Sequence, residues 1–468
     1  VIAQKRNLTM AEAVNGLSTT LAVKNLPQLK WMGNKEFYSH VISNDTENVI
    51  IAYSPVTFEA EVVMSLEKMN QLLEKNGLKK LTKIPAINWL SNTAFYFQQD
   101  NKYVQINTLA KDSSATQILT STPKEAENAT LNANQTGIAY TYNKNLYVKV
   151  GNNEPLQITQ DGSKDIEYGT AVHRNEFGIN EGLFWSPLND AIAFYRMDQS
   201  MVENYPVVNW AETPATVNMV KYPFAGRTSH QVTVGVYNIK TASTLYLKTG
   251  EPKDQYLTSV TWSPDAKYLY VGLLNRDQNY LQLNQYDAVS GEKIKTLFEE
   301  RNDKYVEPQH ALYFVNNNPE QFIWWSQRDG YMHLYLYKKD GTLIRPLTQG
   351  PWLVNEILGV NKKNQELIIT ATKESPLQKT VYAVSLLKAS MRIVTKTPAT
   401  HQATLSADGN YIIDAYTNAN TPRNIEIINV NTLQEKRIFT ASNPLAELNT
   451  AQVQLVKLYA EDSTLLYG

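Results

Sequence analysis

A lone carboxylate, Glu176, stands in the part of the chain best suited to chemistry, the string His-Arg-Asn-Glu-Phe-Gly at residues 173–178. The string that follows, Phe-Trp-Ser-Pro at residues 184–187, is typical of a turn and strand in a repeated β-unit. Glu176 therefore lies in an insertion, where a regular repeat needs only a connection. Because irregular loops on a rigid β-scaffold often carry binding groups, Glu176 is a candidate binding residue. A solvated loop carboxylate is the alternative interpretation.

The familiar catalytic and metal-binding motifs are missing from the sequence. There is no Gly-x-Ser-x-Gly nucleophile motif, and the nearest match, at Ser18, lacks the second glycine and lies in a predicted helix. The six histidines are scattered without metal-ligand spacing, cysteine is absent, and no glycine-rich phosphate loop occurs. Asp265 and Asp408 belong to turns, where their side chains can accept from backbone N–H groups. The residues alone thus predict a binding or scaffold protein, with no metal, no cofactor and no catalytic residue in this chain.

Composition narrows the class of protein further. The 468 residues carry 44 basic and 45 acidic side chains, a formal net charge of −1, which argues against nucleic acid as a partner. The 28 tyrosines favour half-buried strands. No window is long and apolar enough to predict a transmembrane helix. One interpretation of residues 1–4, Val-Ile-Ala-Gln, is the stub left by cleavage of a signal peptide.

A repeat organises the chain after a short N-terminal helix. Residues 1–28 are predicted as helix and lead-in, with Thr9 as the N-cap and Glu12 completing a capping box. Each later unit has an aromatic strand end, a polar turn and a second strand, and the spacing of about 40–55 residues is that of propeller blades. A β-sandwich would not repeat a Trp-Ser-Pro turn at that spacing. We therefore expect an all-β, eight-bladed β-propeller over residues 29–445. The repeated turns begin at Trp31, Trp89, Asn134, Trp185, Trp262, Asn317, Asn361 and Ser406.

The fourth unit contains an insertion at residues 199–231 that is too long for a simple hairpin. It is rich in apolar side chains, among them Tyr205, Val207 and Trp210. An apolar insertion of this length usually packs against something outside its own unit. The pattern leaves two interpretations open, a hairpin folded back on its own propeller and an arm that contacts a second copy of the chain.

Two long strings resemble the dipeptidyl peptidase IV family. The first begins with His-Arg-Asn-Glu-Phe-Gly at residues 173–178 and continues with Phe-Trp-Ser-Pro at 184–187, Ala-Phe-Tyr-Arg-Met-Asp at 193–198 and Tyr-Pro-Phe-Ala-Gly at 222–226. The second is Trp-Ser-Gln-Arg-Asp-Gly-Tyr-Met-His-Leu-Tyr at residues 325–335, followed by Thr-Gln-Gly-Pro-Trp-Leu-Val. The resemblance implies an eight-bladed propeller followed by an α/β-hydrolase domain that carries a Ser-Asp-His triad. Residues 446–468 are then the first strands of that domain, and this chain is expected to be an inactive N-terminal piece of a serine exopeptidase.

The resemblance assigns Glu176 to the free α-ammonium group of a peptide substrate. Dipeptidyl peptidase IV proper carries two consecutive glutamates, which fall on Asn175 and Glu176, so only Glu176 matches. The single glutamate looks more like the bacterial prolyl tripeptidyl aminopeptidase branch, and release of tripeptides or of dipeptides ending in proline both stay open. Arg174 and Arg196 are expected neighbours of the site. A further family feature, an arginine from the second blade near the substrate carbonyl, is not placed by these strings.

The resemblance also implies partners and a location. The insertion matches the place where the family extends blade four into its dimer contact. Peptides with proline in the second or third position, the hydrolase domain of the same protein and a second copy of the full-length protein are the expected partners, and the expected location is the periplasm, envelope or exterior of a bacterium. Two alternatives remain: Glu176 is structural and pairs with Arg174 or Arg196, or the chain is a stand-alone docking propeller. The residues expected in the dimer arm are Tyr205, Pro206, Val207 and Trp210.

Overall fold

Short strands joined by tight turns build one antiparallel sheet for each repeat. In this computed structural model, which describes residues 5–33, 36–44, 46–110, 112–151, 153–451 and 453–468, eight such sheets follow one another along the chain. Seven of them have four strands, and the fourth has five because its first strand is split. The expected all-β, eight-bladed β-propeller is confirmed. The proposed cleavage stub at residues 1–4 lies outside the described residues.

The blades use consecutive strands, and two further strand pairs lie outside them. The strands of blades one to three are β1 (Lys30–Met32), β2 (Phe37–Ser43), β3 (Asn48–Tyr53), β4 (Ala60–Ser65), β5 (Ile87–Ser91), β6 (Ala94–Gln99), β7 (Lys102–Asn107), β8 (Thr116–Ser121), β9 (Glu127–Leu131), β10 (Gly137–Tyr142), β11 (Asn145–Val150) and β12 (Leu156–Gln157). Blade four and its insertion contain β13 (Ile166–Tyr168), β14 (Leu183–Trp185), β15 (Ala191–Asp198), β16 (Asn204–Asn209), β17 (Thr216–Lys221), β18 (Gln231–Asn238) and β19 (Ser243–Tyr246).

The remaining strands complete the ring and a C-terminal hairpin. Those of blades five and six are β20 (Tyr256–Trp262), β21 (Tyr268–Leu274), β22 (Tyr280–Asp287), β23 (Lys293–Arg301), β24 (Tyr313–Phe314), β25 (Gln321–Ser326), β26 (His333–Lys338) and β27 (Leu343–Pro346). Those of blades seven and eight and the hairpin are β28 (Val354–Asn361), β29 (Glu366–Ala371), β30 (Thr380–Ser385), β31 (Met391–Ile393), β32 (Thr400–Leu405), β33 (Tyr411–Asn418), β34 (Thr421–Asn429), β35 (Glu435–Thr440), β36 (Lys457–Tyr459) and β37 (Leu465–Tyr467).

Burial follows the layering of a propeller. The middle strands of the blades are largely buried, and so is the first strand of blade five, β20. Fourth strands such as β12, β19 and β35 are largely exposed and form the outer rim. Apolar side chains from neighbouring blades pack together, and one large cluster joins blades four, five and six. Because a single blade cannot bury both of its faces, this packing between blades is what stabilises the ring.

The tryptophan that recurs in several blades forms a hydrogen bond with the preceding blade. The indole N–H of Trp185 in blade four donates to the Thr130 carbonyl of blade three at 2.9 Å. The Trp262 indole of blade five donates to a blade-four carbonyl at the same distance. Trp31 of blade one donates to the Thr404 carbonyl of blade eight at 2.9 Å, so the same contact closes the ring although no strand is exchanged between the first and last sheets.

Two α-helices occur within the described residues. The N-terminal helix α1 (Met10–Asn15) has the expected capping box, in which Thr9 and Glu12 satisfy each other's backbone N–H groups. A second helix, α2 (Leu66–Lys75), lies between blades one and two and was not predicted. Its buried side chains at helical spacing are the signal that the strand pattern obscured. In the segments that the structure describes, no helix could cross a membrane, and no group of His, Asp and Glu side chains could hold a metal ion.

Candidate functional site

The first strand of blade four is split into two halves. Strand β13 pairs with the end of β15, at Arg196–Asp198, and β14 pairs with an earlier part of the same strand, at Ile192–Phe194. Residues 169–182, which we call the Glu176 loop, leave the sheet between these halves and return to it. The insertion predicted from the sequence is therefore a detour from the first strand of a blade rather than a connection between blades.

A left-handed turn presents Glu176. His173, Arg174 and Asn175 have φ angles of 53°, 59° and 62°, a conformation that costs a non-glycine residue about 1–2 kcal/mol. The turn closes with the Asn175 N–H donating to the Val172 carbonyl and the Glu176 N–H to the His173 carbonyl, both at 3.1 Å. Backbone strain of this kind persists only where the surroundings hold it, and it concentrates at functional sites.

A buried pair of histidines, His173 and His230, connects the turn to the neighbouring strands of blades four and five. The N–H of Leu257 in blade five donates to Nε2 of His173 at 3.0 Å, so the ring proton of a neutral His173 lies on Nδ1 and donates to Nε2 of His230, also at 3.0 Å. Burial, and the repulsion that a protonated His173 would meet from Arg276 and from a protonated His230, hold the pKa of His173 well below its ordinary value. Burial and the charges of Arg276 and Arg174 lower the pKa of His230 to about 4. Both rings are therefore neutral near pH 7, as this hydrogen-bond chain requires.

The other side of the loop packs against blade five and the connection to blade six. Phe177 is buried with its ring 5.0 Å from that of Tyr256, within the large apolar cluster. Gly178 has a φ of 69°, and a Cβ atom there would lie 2.0 Å from the backbone oxygen of Gln309. Glycine is thus required at position 178 both by the backbone conformation and by the close approach of a neighbouring chain segment.

Glu176 itself is exposed. Across the described part of the chain, its carboxylate has no hydrogen-bond or ion-pair partner. The arginines expected as neighbours are engaged elsewhere. Arg174 lies over the ring of Tyr222, 4.8 Å from its centroid, and Arg196 donates to the Tyr168 hydroxyl and forms ion pairs with Asp161 and Asp198. Neither arginine pairs with Glu176 in this structure.

A polar pocket of about 640 Å³ lies between the Glu176 loop and the blade-four insertion. Arg174, Asn175 and His230 line it from one side, while Lys221 and Met219 line it from the insertion. Glu176 is not among the lining residues. The turn thus directs Arg174 and Asn175 into the pocket and leaves Glu176 beside it.

The insertion forms a separate hairpin, and we call its residues 199–229 the arm. Among the strands of the described residues, β16 and β17 pair only with each other. Tyr205, Val207 and Trp210 are 43%, 45% and 82% exposed, and Pro206 is exposed as well. At its base, the rings of Tyr205, Tyr222 and Phe224 contact one another. The arm therefore extends from the blade with an apolar surface instead of lying flat on it.

Sequence reasoning did not predict the histidine pair, and it did not locate the arginine that the family brings from its second blade. His173 and His230 are 57 positions apart and gave no spacing signal, although His173 is the first residue of a string on which the resemblance rests. No arginine occurs between Arg6 and Arg174, so blade two contains none. The arginine that the family brings from that region has no counterpart in blade two of this chain.

The fold and site define a class: a propeller whose fourth blade diverts its first strand to present a carboxylate. Residues 87–423 match the model of the dipeptidyl peptidase IV (DPP IV) N-terminal region. The chain belongs to that family.

Similar proteins come from fungi and bacteria. The "Probable dipeptidyl-aminopeptidase B" of Talaromyces marneffei is 27% identical over 353 residues, covering 69% of this chain and 38% of the relative. The crystal structure of a "putative dipeptidyl aminopeptidase IV" from Bacteroides ovatus is 34% identical, with a TM-score of 0.89 over 99% of this chain and 66% of that one. Porphyromonas gingivalis dipeptidyl peptidase 4, 20% identical with a TM-score of 0.79, shares the fold. The chain thus spans well under half of that curated relative's length.

Proposed function

We propose that this chain is the propeller that gates and binds the substrate N-terminus in an exported serine exopeptidase. Glu176 receives the free α-ammonium group of a peptide, and an α/β-hydrolase domain of the same protein cleaves after proline. The observation that carries the proposal is an exposed carboxylate on a strained turn between two blades, with no partner for it among the residues that the structure describes. A fixed carboxylate forms a charge-assisted hydrogen bond with an ammonium group and so fixes the distance from the peptide end to the cut.

Asn175 supports release of tripeptides over dipeptides. A neutral amide stands where dipeptidyl peptidase IV proper carries its first glutamate, so one charged anchor is absent. The pocket of about 640 Å³ beside Asn175 offers space for an additional residue. The names of the relatives point to dipeptide release by those proteins, which makes the length of the product the first property to measure.

The arm is proposed as a dimer contact of the full-length protein. Its own two-stranded sheet and its exposed apolar side chains support this role, because exposed apolar patches commonly mark interaction surfaces. The arm residues of the proposed interface are Tyr205, Pro206, Val207 and Trp210.

The test is cleavage of Ala-Pro and Ala-Ala-Pro chromogenic substrates by the full-length enzyme. The variant Glu176→Gln keeps the shape of the side chain and removes its charge, and we expect kcat/KM to fall about 10–100-fold, the range for hydrogen bonds to charged groups. Glu181→Gln, which changes the other carboxylate of the same loop, is the matched control and should stay near wild type. Unchanged kinetics in Glu176→Gln would make Glu176 a surface carboxylate and favour the docking propeller. Preference for the dipeptide would leave the anchor and overturn the tripeptide proposal.

A further inference from the structure

The pocket between the Glu176 loop and the arm has an excess of positive charge. Asp165 and Lys221 lie in its wall 3.6 Å apart and neutralise each other. Glu167 also lines it, and its carboxylate pairs with Lys144 at 3.1 Å. The ammonium group of Lys164 and the guanidinium group of Arg174 are the charged groups of the lining that are left after these pairs are formed.

No carboxylate pairs with those two cations within the residues that the structure describes. Two positive charges are thus left facing the same cavity. An anionic group is the ligand that such a cavity favours.

Arg174 lines the pocket and lies against an aromatic ring of the arm. Its guanidinium lies over the Tyr222 ring, with its central carbon 4.8 Å from the ring centroid. A guanidinium attracted to an aromatic ring still carries a planar fork of N–H donors, which matches the geometry of a carboxylate. Tyr222 is held in turn by contacts with Tyr205 and Phe224. The arm therefore restricts the guanidinium before any ligand arrives.

The pocket wall also contains a hydroxyl group with no partner. Oγ1 of Thr170, in the Glu176 loop, is buried from solvent and makes no hydrogen bond with the rest of the described chain. A threonine hydroxyl can donate to a carboxylate oxygen. Arg174 thus offers its donors from the same loop that carries Glu176, and the buried Thr170 hydroxyl lies in the wall behind that pocket.

We infer that this pocket receives the side-chain carboxylate of the first residue of a peptide and so favours peptides that begin with Glu or Asp. The inference rests on the proposed function, because Glu176 must hold the α-ammonium group of that same residue. Arg174 stands two positions before Glu176, on the far side of one turn. A first residue whose α-ammonium group binds Glu176 then directs its side chain toward the pocket. Its positive ammonium group meets Glu176, and its negative side-chain carboxylate meets Arg174.

The experiment measures binding of the uncleaved tripeptides Glu-Ala-Pro and Gln-Ala-Pro to this 468-residue chain by titration calorimetry or saturation-transfer NMR. The two peptides have nearly the same shape and differ in one charge. We expect Glu-Ala-Pro to bind about tenfold more tightly, as for a hydrogen bond between charged groups, and the ratio to fall with added salt. Arg174→Gln should bring the ratio of the two affinities close to one.

Two further variants keep the test decisive. Arg174→Lys retains the charge without the fork and should retain part of the preference. Lys164→Gln removes the second positive charge of the pocket without changing the turn. It should therefore lower the ratio of the two affinities, and it tests the pocket even if Arg174→Gln disturbs the loop. Equal binding of both peptides, with both weakened by Glu176→Gln, would overturn the pocket inference alone. Binding that is indifferent to Glu176→Gln would overturn the proposed anchor, and binding of neither peptide would overturn both.

Discussion

Replacing Gly178 by alanine tests whether contact with Gln309 sets the position of Glu176. The φ of 69° costs alanine about 1 kcal/mol. The added Cβ would also lie 2.0 Å from a backbone oxygen, and since such contacts are at least 3.0 Å, the two segments must separate by at least 1.0 Å. Forcing a packed backbone apart costs about 1–3 kcal/mol. The total for Gly178→Ala is then about 2–4 kcal/mol.

Gly226→Ala is the matched control. Its φ is 73°, nearly that of Gly178, but no atom lies within 4 Å of the position of its Cβ. It therefore carries the conformational cost of about 1 kcal/mol without the collision. The difference between the two variants isolates the contact with Gln309.

Native-state hydrogen exchange is the assay, because it reports local opening of the loop. The Glu176 N–H, bonded to the His173 carbonyl, is the direct probe. We expect its opening free energy to fall by about 2–4 kcal/mol in Gly178→Ala and to stay unchanged in Gly226→Ala. Peptide binding should weaken only in Gly178→Ala, because a displacement of about 1 Å is enough to disturb such a site. Equal protection of this amide in both variants would refute the reasoning.

Three further predictions concern the scaffold and the arm. Trp31→Phe removes the indole donor to the Thr404 carbonyl at the ring closure and should lower the unfolding free energy by about 1 kcal/mol in urea melts; no change would deny the closure role. Burial lowers the pKa of His401, but its hydrogen bond to Asp414 at 2.7 Å and the negative charge of that carboxylate raise it, and the net shift is upward. The pair should therefore stabilise the folded state fully below about pH 6.5, and this stabilisation should be lost as the pH rises through the raised pKa of His401. His401→Gln should flatten this pH dependence of the unfolding free energy, and a profile with the same slope would contradict it. Deleting residues 203–220 should leave the circular dichroism of the propeller intact and lower association of the full-length protein; an unchanged sedimentation profile would count against the arm.

The propeller was predictable because its determinants are local and repeated. A strand, a polar turn and a second strand recur at each blade, and Trp185, Trp262 and Trp31 mark the same contact between blades. The capping box at Thr9 and Glu12 is likewise a property of four neighbouring residues. Helix α2 was missed although its signal is local too, because its apolar residues follow a strand and were counted with the β-pattern.

The sequence by itself determined the blade repeats, the insertion and the identity of Glu176 as the candidate anchor. Only the tertiary structure decided how that carboxylate is presented. No local preference places three successive non-glycine residues in the left-handed region, and their strain is held by a blade-five N–H on His173, by His230 beyond the arm and by Gln309 near blade six. Those groups are distant along the chain, and the packing of blades four and five and the connection to blade six brings them together.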